Sequence, residues 1–465
     1  MRKTQFAKYL KIQNEIDEFG IKCVSILNSK IKHDQKKGKT NLIELFFHDL
    51  VCFFTSAQIA NITKVTSDKT PTLPYVNSKF ILNPSDFKIP TIRKNSNSLI
   101  DLLLKLNFWS SKTLWIGFGL TKEVKKTIFF KLFRYKINKI KFDYLKVNYS
   151  DYQYFMSEVE EISNKLNINF NKSHFNAIDN YFKSLIKFNP SPEKFDYKNE
   201  ILITGTNCKI AQRIMSAKFL KNQGRVISFG HGDSSIDVFD EPIFDYGEIK
   251  FNSIFADFGR LSLVGKRSYK SVIKIHSKVV QKLHDKKYKT KSKKLLYVPT
   301  SLSSYRCYAP YRNFFDEFYI EWQLIMLKTL AKNNINVMVK THPKSLIEYS
   351  HISGDLIELK NLEECFDIYD GFIFDYASTA LTKTLSIDKK IIYFDLGNRK
   401  ISNNANNCLK LDVAYKKIDF NLDLDKQISE PFSFNNKRQY NFIEQYSLGG
   451  HSIENIIENF ICNDK

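Results

Sequence analysis

The chain has 465 residues, 43% of them hydrophobic and 26% charged, a balance that supports packed cores and excludes wholesale disorder or a fibrous repeat, at a length that favours two domains. Lys and Arg exceed Asp and Glu by 71 to 49, a net charge of +22, which draws phosphates, nucleic acid or an anionic leaflet, although a compositional bias toward Lys, Asn and Ile accounts for part of it. The basic residues are dispersed and form no RNP-like aromatic strand, zinc-finger spacing or basic zipper, so nucleic acid is set aside as a partner.

In chain order, the first residues (MRKTQFAKYLKIQNEIDEFG) lack the apolar centre and small-residue cleavage site of an export signal. The most apolar stretch, 42–54, is interrupted by Glu44, His48 and Asp49 and falls short of the about 18 uncharged residues of a spanning helix. Seven scattered Cys without short paired spacings point to a reducing compartment and to no zinc site. The expected location is therefore cytoplasmic, with any membrane contact peripheral, on the cytoplasmic face of the inner membrane. Residues 151–166 (DYQYFMSEVEEISNKL) have helical apolar spacing. A Pro-rich, charged break near 190 precedes the strand ILITGTN, a helix over 209–223 and the strand RVISFGHGDSS. The run KKYKTKSKK at 286–294 reads as a solvated linker. Beyond it the same grammar restarts: KKLLYVPTSLSSYR, a helix over 315–333, the strands NVMVKTHP and GFIFDYAST, a helix over 380–386, the strand KIIYFD, and closing helices that pack back across the lobes.

Strands alternating with helices predict an α/β fold of two Rossmann-like lobes, 1–291 and 292–465, whose parallel sheets face a central cleft. Polar residues stand at the C-terminal ends of successive strands: 204–207, 231–235, 300–304, 342–344 and 378–379. That edge is where open parallel sheets bind ligands. Fingerprints for nucleotide triphosphatases, dinucleotide enzymes and serine hydrolases are missing from the sequence. The acidic triplet DLD at 423–425 follows the sheet segments, so no metal and no cofactor is expected.

The motifs LLYVPT, VKTHPKS and FIFDYASTALTKTLSIDKKIIYFD, with His231-Gly232 upstream, follow one another as in the GT-B superfamily of CMP- and CDP-dependent bacterial surface-glycan transferases, which this sequence resembles. The superfamily includes sialyl- and polysialyltransferases, CDP-glycerol glycerophosphotransferases and Kdo transferases of capsule and O-antigen synthesis. The resemblance implies a donor site in the second lobe, with His342, Pro343, Lys344, Ser378 and Thr379 serving CMP. His342 suits a phosphate or ribose bond, and hydroxyls opening a helix suit an anion. Thr300 and Ser301 form a second polar turn, while Asp375 is read as orienting its loop.

In the first lobe, His231 and Gly232 match the superfamily's HG element, and Asp233 adds a carboxylate where the acceptor or sugar would face the cleft, which suits a nucleophile, a general base or an Asx turn after the strand. By resemblance to the retaining β-Kdo transferases, Glu158 is the accompanying acid/base candidate, although Glu158, Glu160 and Glu161 also read as a solvated helix face. The sequence thus predicts a glycosyltransferase moving Kdo or a related ulosonic acid from a CMP donor to a glycan or lipid-linked glycan of a bacterial lipopolysaccharide, O-antigen or capsule. An inverting CMP-sialyltransferase, a CDP-glycerol glycerophosphotransferase and a noncatalytic sugar-binding module are the alternatives.

Overall fold

Short runs of β-branched and aromatic residues such as ILIT, RVISF, GFIF and KIIYF become strands buried almost throughout, the pattern of parallel sheets covered on both faces. The computed structural model describes residues 2–36, 42–63, 113–117, 120–131, 136–139, 144–188, 197–198, 200–207, 210–230, 246, 249–259, 272–290, 292–302, 316–343, 345, 348–397, 401–433 and 439–462.

The strands in chain order are β1 (Thr113–Ile116), β2 (Lys136–Lys139), β3 (Leu145–Val147), β4 (Ile186–Phe188), β5 (Ile201–Thr204), β6 (Arg225–Phe229), β7 (Ile254–Asp257), β8 (Val272–Lys274), β9 (Leu295–Tyr297), β10 (Val337–Val339), β11 (Gly371–Phe374), β12 (Lys390–Asp395) and β13 (Ala414–Lys417). The first sheet runs β2-β1-β5-β6-β7-β8 and the second β10-β9-β11-β12-β13, and every pairing in both is parallel. The chain is thus α/β with two parallel sheets, as the alternating pattern predicts.

The strand orders locate the binding edges. From β9 the chain crosses to β10 on one side and returns to lay β11 on the other. The connections that leave β9 and β11 run in opposite directions, the arrangement at which open parallel sheets bind ligands, outside the C-terminal ends of those strands. The same reversal occurs in the first sheet, where β2 and β5 flank β1. There the backbones approach so closely that a Cβ on Gly117 would meet Thr204 Oγ1 at 2.6 Å, which only glycine avoids.

The apolar stretch beginning at Leu42 becomes the helix Leu42–Thr63, with Phe46, Phe47, Phe53 and Phe54 fully buried. A helix apolar around most of its circumference belongs inside a core, and among the described residues no helix is long and apolar enough to cross a membrane. Its buried Asp49 forms an ion pair with the equally buried Arg213 and accepts from Tyr181 Oη at 2.7 Å. Arg213 also donates to the carbonyls of Leu45 (3.1 Å) and Asn207 (3.3 Å). The pair therefore ties this helix to the helix Ile210–Lys221 and to the turn that ends β5.

Both ends of the chain pack against the sheet remote from them in sequence. The helix Arg2–Lys36 has 35 residues, about 50 Å at 1.5 Å per residue. Its Phe6 stacks on Phe318 at 5.2 Å and meets Phe420 at 5.5 Å beside the second sheet, whereas Cys23, Leu27 and Ile31 join the core around the buried helix. Conversely, Ile453, Ile456, Ile457, Phe460 and Ile461 of the last helix, Ile453–Cys462, share a core with Leu114, Ile201, Ile203 and Phe229 of the first sheet. The main chain seals this return: His276 N donates to His451 O at 3.0 Å and Ser277 N to Ser447 O at 2.8 Å. The packing of the first helix on the second sheet has no counterpart in the sequence reading.

The basic run after 285 is more anchored than a solvated linker. Its lysines at 286, 287 and 289 are exposed, yet Tyr288 packs edge-on against Phe366 at 5.6 Å and Thr290 Oγ1 accepts from Lys389 Nζ at 2.6 Å.

Replacing Arg213 with Ala would strand the Asp49 carboxylate inside the core. The expected loss is about 3–5 kcal/mol of folding free energy, read as a lower urea midpoint with the slope unchanged.

Candidate active site

Three turns meet at the C-terminal edge of the second sheet: residues 298–302 after β9, 340–345 after β10 and 375–379 after β11. The strands bring them together directly, since Val298 N donates to Ile373 O at 2.9 Å and Lys340 N to Tyr297 O at 2.8 Å. Beneath them lies Asp375, with no exposed surface. Its carboxylate accepts from Tyr297 Oη, from Tyr319 Oη at 2.8 Å and from Trp322 Nε1 at 3.0 Å.

Tyr319 and Trp322 stand three residues apart on the helix Asp316–Lys332, hence on one face of it. Burial pushes the Asp375 carboxyl up to about 6, against the pull of its three donors. Burial and the neighbouring carboxylate push the phenols of Tyr297 and Tyr319 well above their usual range. All three groups are held for hydrogen bonding, and Asp375 orients its loop from below.

The network continues upward into the turns. Tyr319 Oη accepts from Thr300 N at 2.9 Å, and Thr300 O accepts from Tyr349 Oη at 2.9 Å. Leu302 N donates to Ser345 Oγ at 3.0 Å, that hydroxyl donates to Tyr349 Oη at 3.3 Å, and Ser345 N donates to His342 O at 3.1 Å. The backbone of 300–302 is thus clamped between β10's turn and the buried acid.

Of the residues selected from sequence, Thr300 is buried, Ser301, His342, Ser378 and Thr379 are half-buried, and Pro343 is exposed. All lie on these three turns. Lys344 lies outside the described residues. Ser378 has extended backbone and caps the helix Thr379–Thr384, its Oγ accepting from Leu381 N at 3.4 Å. That helix has only six residues, so its dipole is weaker than the sequence argument assumed, and the local donors are hydroxyls and first-turn N–H groups.

The first sheet's edge is organised differently. Thr204, Thr206 and Asn207 are buried, and Asn207 accepts from Ser216 Oγ at 3.0 Å and donates to Asn252 Oδ1 at 2.7 Å. This turn is a structural joint. At the end of β6, a Cβ on Gly230 would press on the buried Asp257 carboxylate, so any side chain there would force that acid to shift. His231, Gly232 and Asp233 lie outside the described residues.

Glu158 is buried on the helix Tyr149–Lys165. It pairs with Lys30, whose Nζ also lies 3.5 Å from Asp34 and 3.2 Å from Tyr154 Oη. Glu160 and Glu161 are exposed, so the solvated-face reading fits those two and not Glu158. The DLD carboxylates are engaged locally: Asp423 caps the helix Leu424–Ser429, and Asp425 accepts from Thr329 and pairs with Lys332 at 3.0 Å. Among the described residues, no cluster of three His, Cys, Asp or Glu could hold a metal ion.

Sequence reasoning missed Tyr297, Tyr319, Trp322, Ser345 and Tyr349. The one signal available was an aromatic pair at 319 and 322 on a helix preceding the HP motif, which reads equally as core.

No family model and no curated protein matches the chain. Among solved structures, a glycotransferase of kitacinnamycin aligns at 8% identity and a TM-score of 0.36, covering 72% of this chain and 92% of that one. The spinosyn forosaminyltransferase SpnP aligns at 8% identity and a TM-score of 0.35, covering 76% and 99% respectively. Scores this low carry no weight by themselves.

Asp375→Ala would leave three buried donors without their acceptor, costing on the order of 3 kcal/mol or more. Asp375→Asn would cost less and would expose the titration. Because the folded-state pKa is raised above the unfolded value, the folded protein holds the extra proton between about pH 4 and 6 and loses that stability as pH rises. The stability gap between wild type and Asp375→Asn should therefore narrow by about 3 kcal/mol from pH 4 to pH 7, in paired urea titrations.

Proposed function

We propose that the chain is a GT-B glycosyltransferase that binds a CMP-activated sugar at the reversal point of the second sheet and transfers it to a bacterial surface glycan. The observation that carries the reading is the clamped arrangement of the 300–302, 342–345 and 375–379 turns on neighbouring strand ends. A preorganised rim of hydroxyls, backbone N–H groups and an imidazole suits an anionic leaving group, because donors already in place need no reorganisation as charge develops. In this reading His342, Ser378 and Thr379 contact the CMP phosphate or ribose, and Thr300 and Ser301 line the opposite wall. Lys344 would add a cation.

Kdo or a related ulosonic acid is the proposed sugar, with retention through Asp233. Its carboxylate would attack the anomeric carbon as the bond to the CMP oxygen breaks, and CMP would leave with the electron pair. The acceptor hydroxyl would then displace the carboxylate and give its proton to a neighbouring base, for which His231 is the candidate. Glu158, paired with Lys30 in the helical layer, serves that layer in this reading rather than the reaction.

The test is CMP release and intact-protein mass after incubation with CMP-Kdo, CMP-sialic acid or CDP-glycerol. Ser378→Ala and His342→Ala are each expected to slow CMP release by about 10–100-fold, with the melting temperature unchanged in His342→Ala and slightly lowered in Ser378→Ala by the loss of a helix cap worth about 1 kcal/mol. A sugar-sized adduct lost in Asp233→Asn supports retention, whereas CMP release without an adduct in any rapid-quench sample points to inversion. Glycerol phosphate transfer from CDP-glycerol alone would replace the CMP-sugar reading, and turnover of none of the three would overturn the assignment.

A further inference from the structure

The Tyr319 hydroxyl stands between the buried acid and the rim of the site, and it bonds in both directions. Its hydrogen goes to Asp375 Oδ1 at 2.8 Å, while its oxygen accepts from Thr300 N at 2.9 Å. The other carboxylate oxygen, Oδ2, accepts from Tyr297 Oη and from Trp322 Nε1 at 3.0 Å. All three side chains act as donors, which suits the ionised acid, since a carboxylate only accepts.

A proton on the acid breaks this pattern, because the carboxyl then has a hydrogen of its own to place. At Oδ2 the indole can only donate, and Tyr297 would accept only by turning its hydrogen toward Tyr319 Oη, 3.4 Å away and beyond an ordinary O–H···O bond. At Oδ1 the Tyr319 oxygen is in reach, but it would receive from Asp375 and from Thr300 N together, and its own hydrogen would face the same 3.4 Å gap. Of the competing groups, Thr300 N is the one at the rim, next to the half-buried Ser301, where water can replace the lost partner.

We propose that Asp375 is a positioning residue whose ionised form holds the 300–302 turn in place through Tyr319, and that taking up a proton turns the Tyr319 hydroxyl around and releases Thr300. The titratable groups facing the acid are Tyr297 from β9, Tyr319 from the helix Asp316–Lys332 and Tyr349 from the segment after β10, and Tyr349 in turn feels Asp316. None of these is a cation that would keep the acid ionised, and burial already holds its carboxyl at about 6. The proton is therefore exchanged just below neutrality. The ionised state is the one in which the turn is clamped beside those carrying His342 and Ser378, so it is the state that binds ligand. That last step rests on the CMP-donor reading, whereas the release of Thr300 does not.

The experiment is amide hydrogen exchange of the full chain without ligand between about pH 5 and pH 8, corrected for the intrinsic pH dependence of exchange. Protection at Thr300 is expected to fall on the order of tenfold, the worth of one hydrogen bond, as pH drops through about 6. In Asp375→Asn it should be low and level across the range. Tyr297→Phe removes a donor to Oδ2 without touching Thr300, so the midpoint should move to higher pH, a shift that a purely structural role would not produce. Cytidine carries no phosphate to repel the carboxylate, and it should bind wild type on the order of tenfold more tightly at about pH 7.5 than at about pH 5. Thr300 protection that ignores pH, or a midpoint unmoved in Tyr297→Phe, would overturn the proposal. A Thr300 transition with the expected midpoints but no cytidine binding at any pH would support the positioning role and sink the CMP reading instead.

Discussion

A single buried carboxylate holds the candidate site in shape. Asp375 accepts from two phenols and an indole, and through Tyr319 it reaches the backbone of Thr300. An acid in this position is costly to ionise because no water solvates it, and its donors offset that cost only in part, which is why its pKa is raised. The arrangement is stiff because the donors come from two different elements: Tyr297 from β9, and Tyr319 and Trp322 from the helix Asp316–Lys332. Movement of either would leave a buried polar group unmatched.

The first sheet solves the same problem with a cation. Asp49 is as deeply buried as Asp375, but Arg213 faces it and extends to the carbonyls of Leu45 and Asn207. One sheet's edge is thus braced by an ion pair and the other by neutral donors around an acid. Buried ion pairs confer positional specificity more readily than net stability, which suits a brace between a long apolar helix and a strand-end turn. Burial raises the carboxyl pKa in both places, against Arg213 at Asp49 and against neutral donors at Asp375.

Stability of the pair of sheets draws on both termini. Phe6 inserts beside Phe318 and Phe420, and the last helix covers one face of the first sheet. Each sheet therefore completes its apolar packing with a segment from the opposite end of the sequence, so a truncation at either terminus would uncover the core of the distant half. Such long-range closure follows from the burial requirement of a parallel sheet, whose two faces both need cover.

Element types and polar strand ends are encoded by neighbouring residues. Runs such as ILIT, GFIF and KIIYFD have strand composition at strand length, and the alternation with helices leaves a parallel sheet as the economical arrangement. Ser378 before an apolar helix and His342 after a strand were legible for the same local reason, because a cap and a strand end are encoded by adjacent residues. That the turns at 300, 342 and 375 are one assembly, that Asp375 is buried against Tyr297, Tyr319 and Trp322, and that Glu158 belongs to Lys30 emerges from the packed fold alone. Those relations join residues up to about 130 positions apart, and their energies come from burial and from geometry that exists only after the sheets have formed. A carboxylate in a sequence carries no mark of whether it will meet water, a lysine or three hydrogen-bond donors.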